Sequence, residues 1–200
     1  MLRSSYDHVI LFAGHMTDQP GRPKPRFPLS MEWLAQREID RVLGSLVTKL
    51  PATRLAISGA ARGGDILFLE SCRAKSIPYL ICLPFSLDRF RQTSVEGSGG
   101  DWVDRFDRLC RATPNEDFRI MPELPNESES VYARYNHWMI QLATQQGRNL
   151  HLIALWDGRK GDGPGGTADL VAQVRKSRGE VFHIDTRPLL KKLEPGIREQ

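Results

Sequence analysis

The chain has 200 residues, 40% of them hydrophobic and 26% charged, which suits one globular domain built around a single core. No apolar run is long enough to cross a bilayer, and the short apolar stretch ahead of Gly14 and His15 lacks the small-residue cleavage site of a secretory signal, so a cytoplasmic protein is expected. The formal net charge of +4 suits an anionic partner, but lysines and arginines are interleaved with acids along the chain, which argues against binding nucleic acid through charge alone.

Short β-rich apolar runs alternate with longer stretches of helical period, the pattern of a mainly parallel sheet covered by helices on both sides. Strands are predicted at His8 to Phe12, Arg54 to Ser58, Tyr79 to Leu83, Phe118 to Met121, Leu150 to Trp156 and Val181 to Asp185. Between the first two strands, Met31, Ala35, Ile39, Val42, Leu46 and Leu50 recur at steps of three or four, predicting one helix that ends before Pro51. A second helix begins near Gly64. A third follows a cap-like Asn126-Glu-Ser-Glu and carries Val131, Tyr135, Trp138 and Leu142 on one face. A last helix starts at Gly166 or Thr167 and turns at Arg178-Gly179. The expected fold class is therefore α/β, a Rossmann-like three-layer sandwich with about six strands, filling residues 1–186 as one domain.

Three segments break the regularity. Thr17 to Pro28 contains four prolines and reads as a loop above the first strand, Glu96 to Gly100 as a Gly/Ser tip, and residues 187–200 as a tail without structural period. The three cysteines, Cys72, Cys82 and Cys110, form no disulfide framework and have no metal-like spacing, and the five histidines are scattered singly. Neither a resident metal nor a firmly bound cofactor is expected.

In an open parallel sheet, ligands collect beyond the carboxyl ends of the strands. Three such ends are chemically distinctive: Gly14-His15; the run Ser58, Gly59, Ala60, Ala61, Arg62, Gly63, Gly64 and Asp65; and Trp156-Asp157 leading to Gly163, Gly165, Gly166 and Thr167. The second and third loops each run into a helix start, where uncovered N–H groups and the helix dipole favour an anion such as phosphate. Arg62 offers a guanidinium and Thr167 a hydroxyl. Each of these features has a plain alternative, tight turns for the glycines and a helix cap for Thr167. Neither loop has the spacing of a P-loop or of the six-residue dinucleotide fingerprint.

The segment Ser58-Gly59-x-Ala61-Arg62-Gly63-x-Asp65, with the helix and the Tyr79–Leu83 strand after it, resembles the DprA/Smf group of the SLOG superfamily. The later Gly163-Pro164-Gly165-Gly166-Thr167 resembles the glycine-threonine motif of the LOG phosphoribohydrolases of the same superfamily. Tyr132 to Asn136 and Trp156 to Thr167 are similar to SLOG-like domains of bacterial conflict systems. The resemblance implies a nucleotide or NAD-derived, phosphate-containing ligand held at the two glycine loops. It also implies a role as sensor or effector in bacterial signalling or antiviral defence, a homodimer, and a signalling or defence partner protein. The LOG catalytic glutamate falls on Leu170 here, with Asp169 the nearest acid.

Two other functions compete with sensing. The first is hydrolysis of an N-glycosidic bond in a nucleotide or NAD-like substrate, with Asp169, Asp157 and Asp65 as candidate catalytic acids. The second is DprA-like binding of single-stranded DNA. Tyr132 and Asn136 lie four apart on one helix face, where a phenol and an amide can meet a common ligand, and Trp156 can stack on a base. Asp18 and Asp162 are loop acids suited to a ribose or a water, and His15 to a phosphate; packing and turn formation explain these residues equally well.

Overall fold

Alternation within the strands sets the architecture. In β1 (Tyr6–Gly14), Ile10 and Phe12 join one buried cluster and Val9 and Leu11 another, so the strand has to be covered on both sides. The same division runs through β2 (Arg54–Ser58), β3 (Tyr79–Leu83) and β5 (Gly147–Trp156), where Ala56, Ile81 and Ile153 face one layer and Leu55, Leu80 and Leu152 the other. With β4 (Phe118–Ile120) and β6 (Glu180–Asp185), the six strands are all parallel and lie in the order β4-β3-β2-β1-β5-β6. This computed structural model describes residues 6–50, 53–122, 130–160 and 165–193.

Helices α1 (Glu32–Lys49), α2 (Gly64–Ala74), α4 (Trp102–Ala112) and α7 (Thr186–Lys191) contribute to the first cluster. Helices α5 (Val131–Gln146) and α6 (Thr167–Lys176) contribute to the second. The short α3 (Leu87–Phe90) follows β3. The result is the expected three-layer, Rossmann-like α/β fold. Phe12 and Phe68 stack 4.7 Å apart where β1 meets α2; of the stripe predicted for the first helix, Met31, Ala35, Ile39, Val42 and Leu46 are buried, joined by Leu34 and Leu43, while Leu50, past the end of α1, is partly buried.

Strand ends differ from the sequence reading by a few residues: β1 and β5 are longer than expected, and β4 stops at Ile120. Three helices are additions among the described residues: the short α3, α4 and α7. Trp102, Phe106 and Leu109 form a buried stripe on α4 that the Gly/Ser tip before it concealed. Arg105 on the same helix is held by carboxylates of Glu32 and Glu70 and lies 4.4 Å above the Trp102 ring, linking α4 to α1 and α2. The start of the expected tail is likewise ordered. Asp185 accepts from the Arg187 N–H and caps α7, and Leu189 is buried. The Asn126 cap lies outside the described residues.

The proline-rich segment after β1 is held by one carboxylate. Asp18 accepts from the N–H groups of Arg26 at 2.7 Å and Phe27 at 2.8 Å, and the Phe27 ring is fully buried.

Replacing Leu189 with alanine removes a buried side chain from the core and is expected to destabilise the fold by about 2 kcal/mol or more in denaturant titration. An unchanged midpoint would return residues 187–193 to the status of an unstructured tail.

Candidate functional site

The chain leaves β1 toward β2 and leaves β5 toward β6, so the carboxyl ends of two adjacent strands part company at the β1–β5 seam. A cleft of about 490 Å³ opens there, a size suited to enclosing one small molecule. Its wall includes Gly14, His15, Gly59, Ala61, Arg62, Asp65, Tyr132, Asn136, Trp156, Gly165, Gly166 and Thr167. The two glycine-rich loops therefore meet at one site, although they do not serve it in the same way.

At the α2 loop three of the amides that sequence offers to a phosphate are already engaged. The Ala61 N–H donates to the Asp65 carboxylate at 3.4 Å, the Arg62 N–H to the Ser94 carbonyl at 3.0 Å and the Gly64 N–H to the His15 carbonyl at 3.2 Å. Met16 bridges Gly63 in an antiparallel pairing, and the Thr17 N–H donates to the Arg62 carbonyl. Gly63 has φ +90°, and a Cβ there would lie 2.7 Å from the Thr17 nitrogen. The glycine is required by the chain crossing over it. Gly63 and Gly64 are thus covered by the His15–Thr17 segment, and Ser58 and Ala60 are fully buried; none of these four lines the cleft.

The α6 loop is different. By helix geometry the Thr167 and Ala168 amides have no carbonyl four residues back within α6, and both residues line the cleft. Thr167 is the first helical residue and makes no side-chain cap. Gly165 has φ +89°, and a Cβ there would collide with the backbone at Tyr132 and Ala133, so its freedom serves the packing of the loop on α5. Gly163 and Asp162 lie outside the described residues.

The candidate acids separate by environment. The Asp169 carboxylate accepts from Asn136 at 3.0 Å and Gln173 at 2.9 Å and does not line the cleft. Asn136 also donates to the Gly166 carbonyl at 3.3 Å, so this amide braces α5 against α6. Asp157 is buried off the wall, its carboxylate accepting from the Arg159 N–H at 3.1 Å. Asp157 also donates its own N–H to His15 Nε2 at 3.2 Å. Burial lowers the His15 pKa, with Asp157 opposing, and a ring whose Nε2 accepts a hydrogen bond is neutral with its proton on Nδ1.

Only Asp65 among these three acids reaches the cleft. Desolvation raises its carboxyl to about 7, the Ala61 N–H bond opposing. Beside it, the Tyr135 hydroxyl donates to the Cys82 carbonyl at 2.7 Å. Trp156 donates its indole N–H to the Arg159 carbonyl at 2.7 Å and leaves its ring against the cleft; Tyr132 is half-exposed there.

Sequence reading left the wall's other contributors unassigned. Thr17, Gln19, Arg22 and Arg26 come from the proline-rich segment, Phe90 from the end of α3 and Ser94 from the helical turn that follows it. The position of the proline-rich segment directly after a strand end was the one available signal for the first group.

No protein-family model matches the chain, and no curated protein matches it. Among solved structures, SuiB of Streptococcus suis aligns over 98% of this chain and 54% of its own length, at 11% identity and a TM-score of 0.29. The chain spans about half the length of that protein, and a likeness this weak carries no argument.

A carboxyl with a raised pKa favours the folded state fully below about pH 4, and that contribution is lost as pH rises through about 7. Asp65→Asn removes this loss. The stability of the variant relative to wild type is therefore expected to improve between pH 4.5 and 7.5, by roughly 3 kcal/mol. His15 and His151, both lowered by burial, act in wild type and variant alike and cancel in the difference. A pH-independent difference would place the Asp65 carboxyl in water.

Proposed function

We propose that the cleft binds a nucleotide or NAD-derived, phosphate-containing ligand and that the protein acts as a sensor or effector of that ligand. The observation that carries this reading is the meeting of the α6 first turn with Tyr132, Trp156 and the arginine-bearing wall in one cleft at the β1–β5 switch point. A phosphate set against the Thr167 and Ala168 amides gains both hydrogen bonds and the helix dipole. The aromatic rings offer a base or nicotinamide a flat surface.

Sensing is favoured over turnover by the state of the acids. Leu170 is buried at the position where the LOG pattern has its glutamate, and Asp157 and Asp169 are bound to other protein groups away from the wall. One observation supports hydrolysis as a second reading: the Asp65 carboxyl titrates near neutrality on the cleft wall, as a general acid or base should.

Thr167→Asp places a carboxylate where the phosphate is expected while remaining favourable for the helix terminus. Calorimetric titration with mononucleotides, NAD, ADP-ribose and cyclic nucleotides should show binding to the wild type and a loss of about thirtyfold or more in the variant, with unchanged thermal stability. Single-stranded DNA at low salt should not compete. Absence of binding across the panel rejects the proposal. Chromatographic release of free base by the wild type, abolished in Asp65→Asn, would move the assignment to the hydrolase.

A further inference from the structure

The two walls of the cleft carry positive potential by different means, and the difference bears on the ligand's shape. On the α6 side it comes from backbone amides. On the α2 side the Ala61, Arg62 and Gly64 amides are engaged, and the wall carries three guanidinium groups, those of Arg22, Arg26 and Arg62. We propose that the cleft takes a nucleotide with two anionic groups, one at the first turn of α6 and the second at this arginine wall. The inference rests on the nucleotide reading above and narrows it to ligands carrying a diphosphate or phosphates at two positions of the sugar.

Arg62 is the centre of the second site. It is 4% exposed, and its recorded hydrogen bonds run to neutral acceptors, Nε to the Thr17 carbonyl at 3.2 Å and Nη1 to the Glu96 carbonyl at 3.1 Å. Among the described residues no carboxylate comes within 4 Å of it; Asp18 favours its charge from farther away. A buried guanidinium bonded only to carbonyls, with its nearest acid beyond ion-pair distance, is weakly compensated, an arrangement that costs stability and that a bound anion would relieve.

Thr17 gives an independent pointer. It is 1% exposed, it lines the cleft beside Arg62, and its hydroxyl has no hydrogen-bond partner. Its oxygen lies against Gly63, so the wall holds an unanswered polar group beside the Arg62 cation. Asp18 fixes the outer part of the wall: it holds the backbone of Arg26 and stands 3.4 Å from Arg22 Nε, so one acid orders a segment that brings two cations.

The wall's contribution is read from a comparison of adenosine 5′-monophosphate with adenosine 3′,5′-bisphosphate, ADP and ADP-ribose, and of the guanine nucleotides likewise, by calorimetry at fixed ionic strength. Ligands with two anionic groups are expected to bind at least roughly tenfold tighter than the monophosphate. The bisphosphate and diphosphate arms tell whether the second group sits on the sugar or follows the first. Arg22→Ala/Arg26→Ala, with folding checked by thermal melting, should erase most of that advantage, whereas Thr167→Asp should weaken every ligand. Equal affinity for one and two phosphates, or an advantage that survives the arginine substitutions, overturns this inference and leaves the nucleotide reading intact; absence of all binding removes both.

Discussion

The reversal of strand order between β1 and β5 is the constraint on which the rest depends. Chain progression from β1 to β4 moves steadily outward, and the return to β5 beside β1 leaves two neighbouring strands whose following segments diverge. No connection needs to cross that seam at its carboxyl end. The His15 N–H donates to the Leu155 carbonyl, and the Asp157 N–H to the His15 ring, so the floor is tied across the seam. Above it the loops after β1, β2 and β5, with the start of α5 and the segment after β3 that carries Phe90 and Ser94, enclose a cleft. The two apolar layers keep the strand ends in register, which allows the site to be built from irregular backbone.

Much of this was legible in the sequence, for a specific reason. Residues such as Val9–Phe12 and Leu152–Leu155 are buried on both faces and must be apolar without interruption, a signal strong enough to locate strands and imply parallel pairing. α4 was hidden because its stripe of Trp102, Phe106 and Leu109 is set among charged residues and follows a Gly/Ser run. α7 was hidden because six residues are too few to show a period.

The site was legible to the level of its loops and no further. Strand ends and helix starts marked where ligand chemistry would gather. Which amides remain available depends on contacts distant in sequence: Ser94 reaches Arg62, and Met16 bridges Gly63. No spacing rule registers such pairings. Gly63 and Gly165 show the ambiguity most clearly, since the feature read as access for a phosphate is in both cases access for another stretch of this chain. Arg22 and Arg26 posed the opposite problem, cleft-lining charge on a segment whose prolines give it no recognisable period.

The unequal treatment of the two helix termini has an electrostatic origin. Both α2 and α6 carry an aspartate in the first turn, where the dipole favours a negative charge. In α2 that residue, Asp65, turns back to the Ala61 amide of its own loop, so the terminus already has an internal acceptor. Burial keeps this carboxyl partly protonated near neutrality, which limits the charge it can offer and also the repulsion it would exert on a bound anion. In α6 the corresponding acid is drawn sideways: Asn136 and Gln173 hold the Asp169 carboxylate off the cleft wall. The neutral Asn136 amide thereby does two things at once, joining α5 to α6 and keeping the helix's own carboxylate clear of the Thr167 and Ala168 amides. In the proposed reading, an anion entering the cleft meets an internal acceptor at α2 and little competition at α6, so the backbone would serve it at one wall and guanidinium groups at the other.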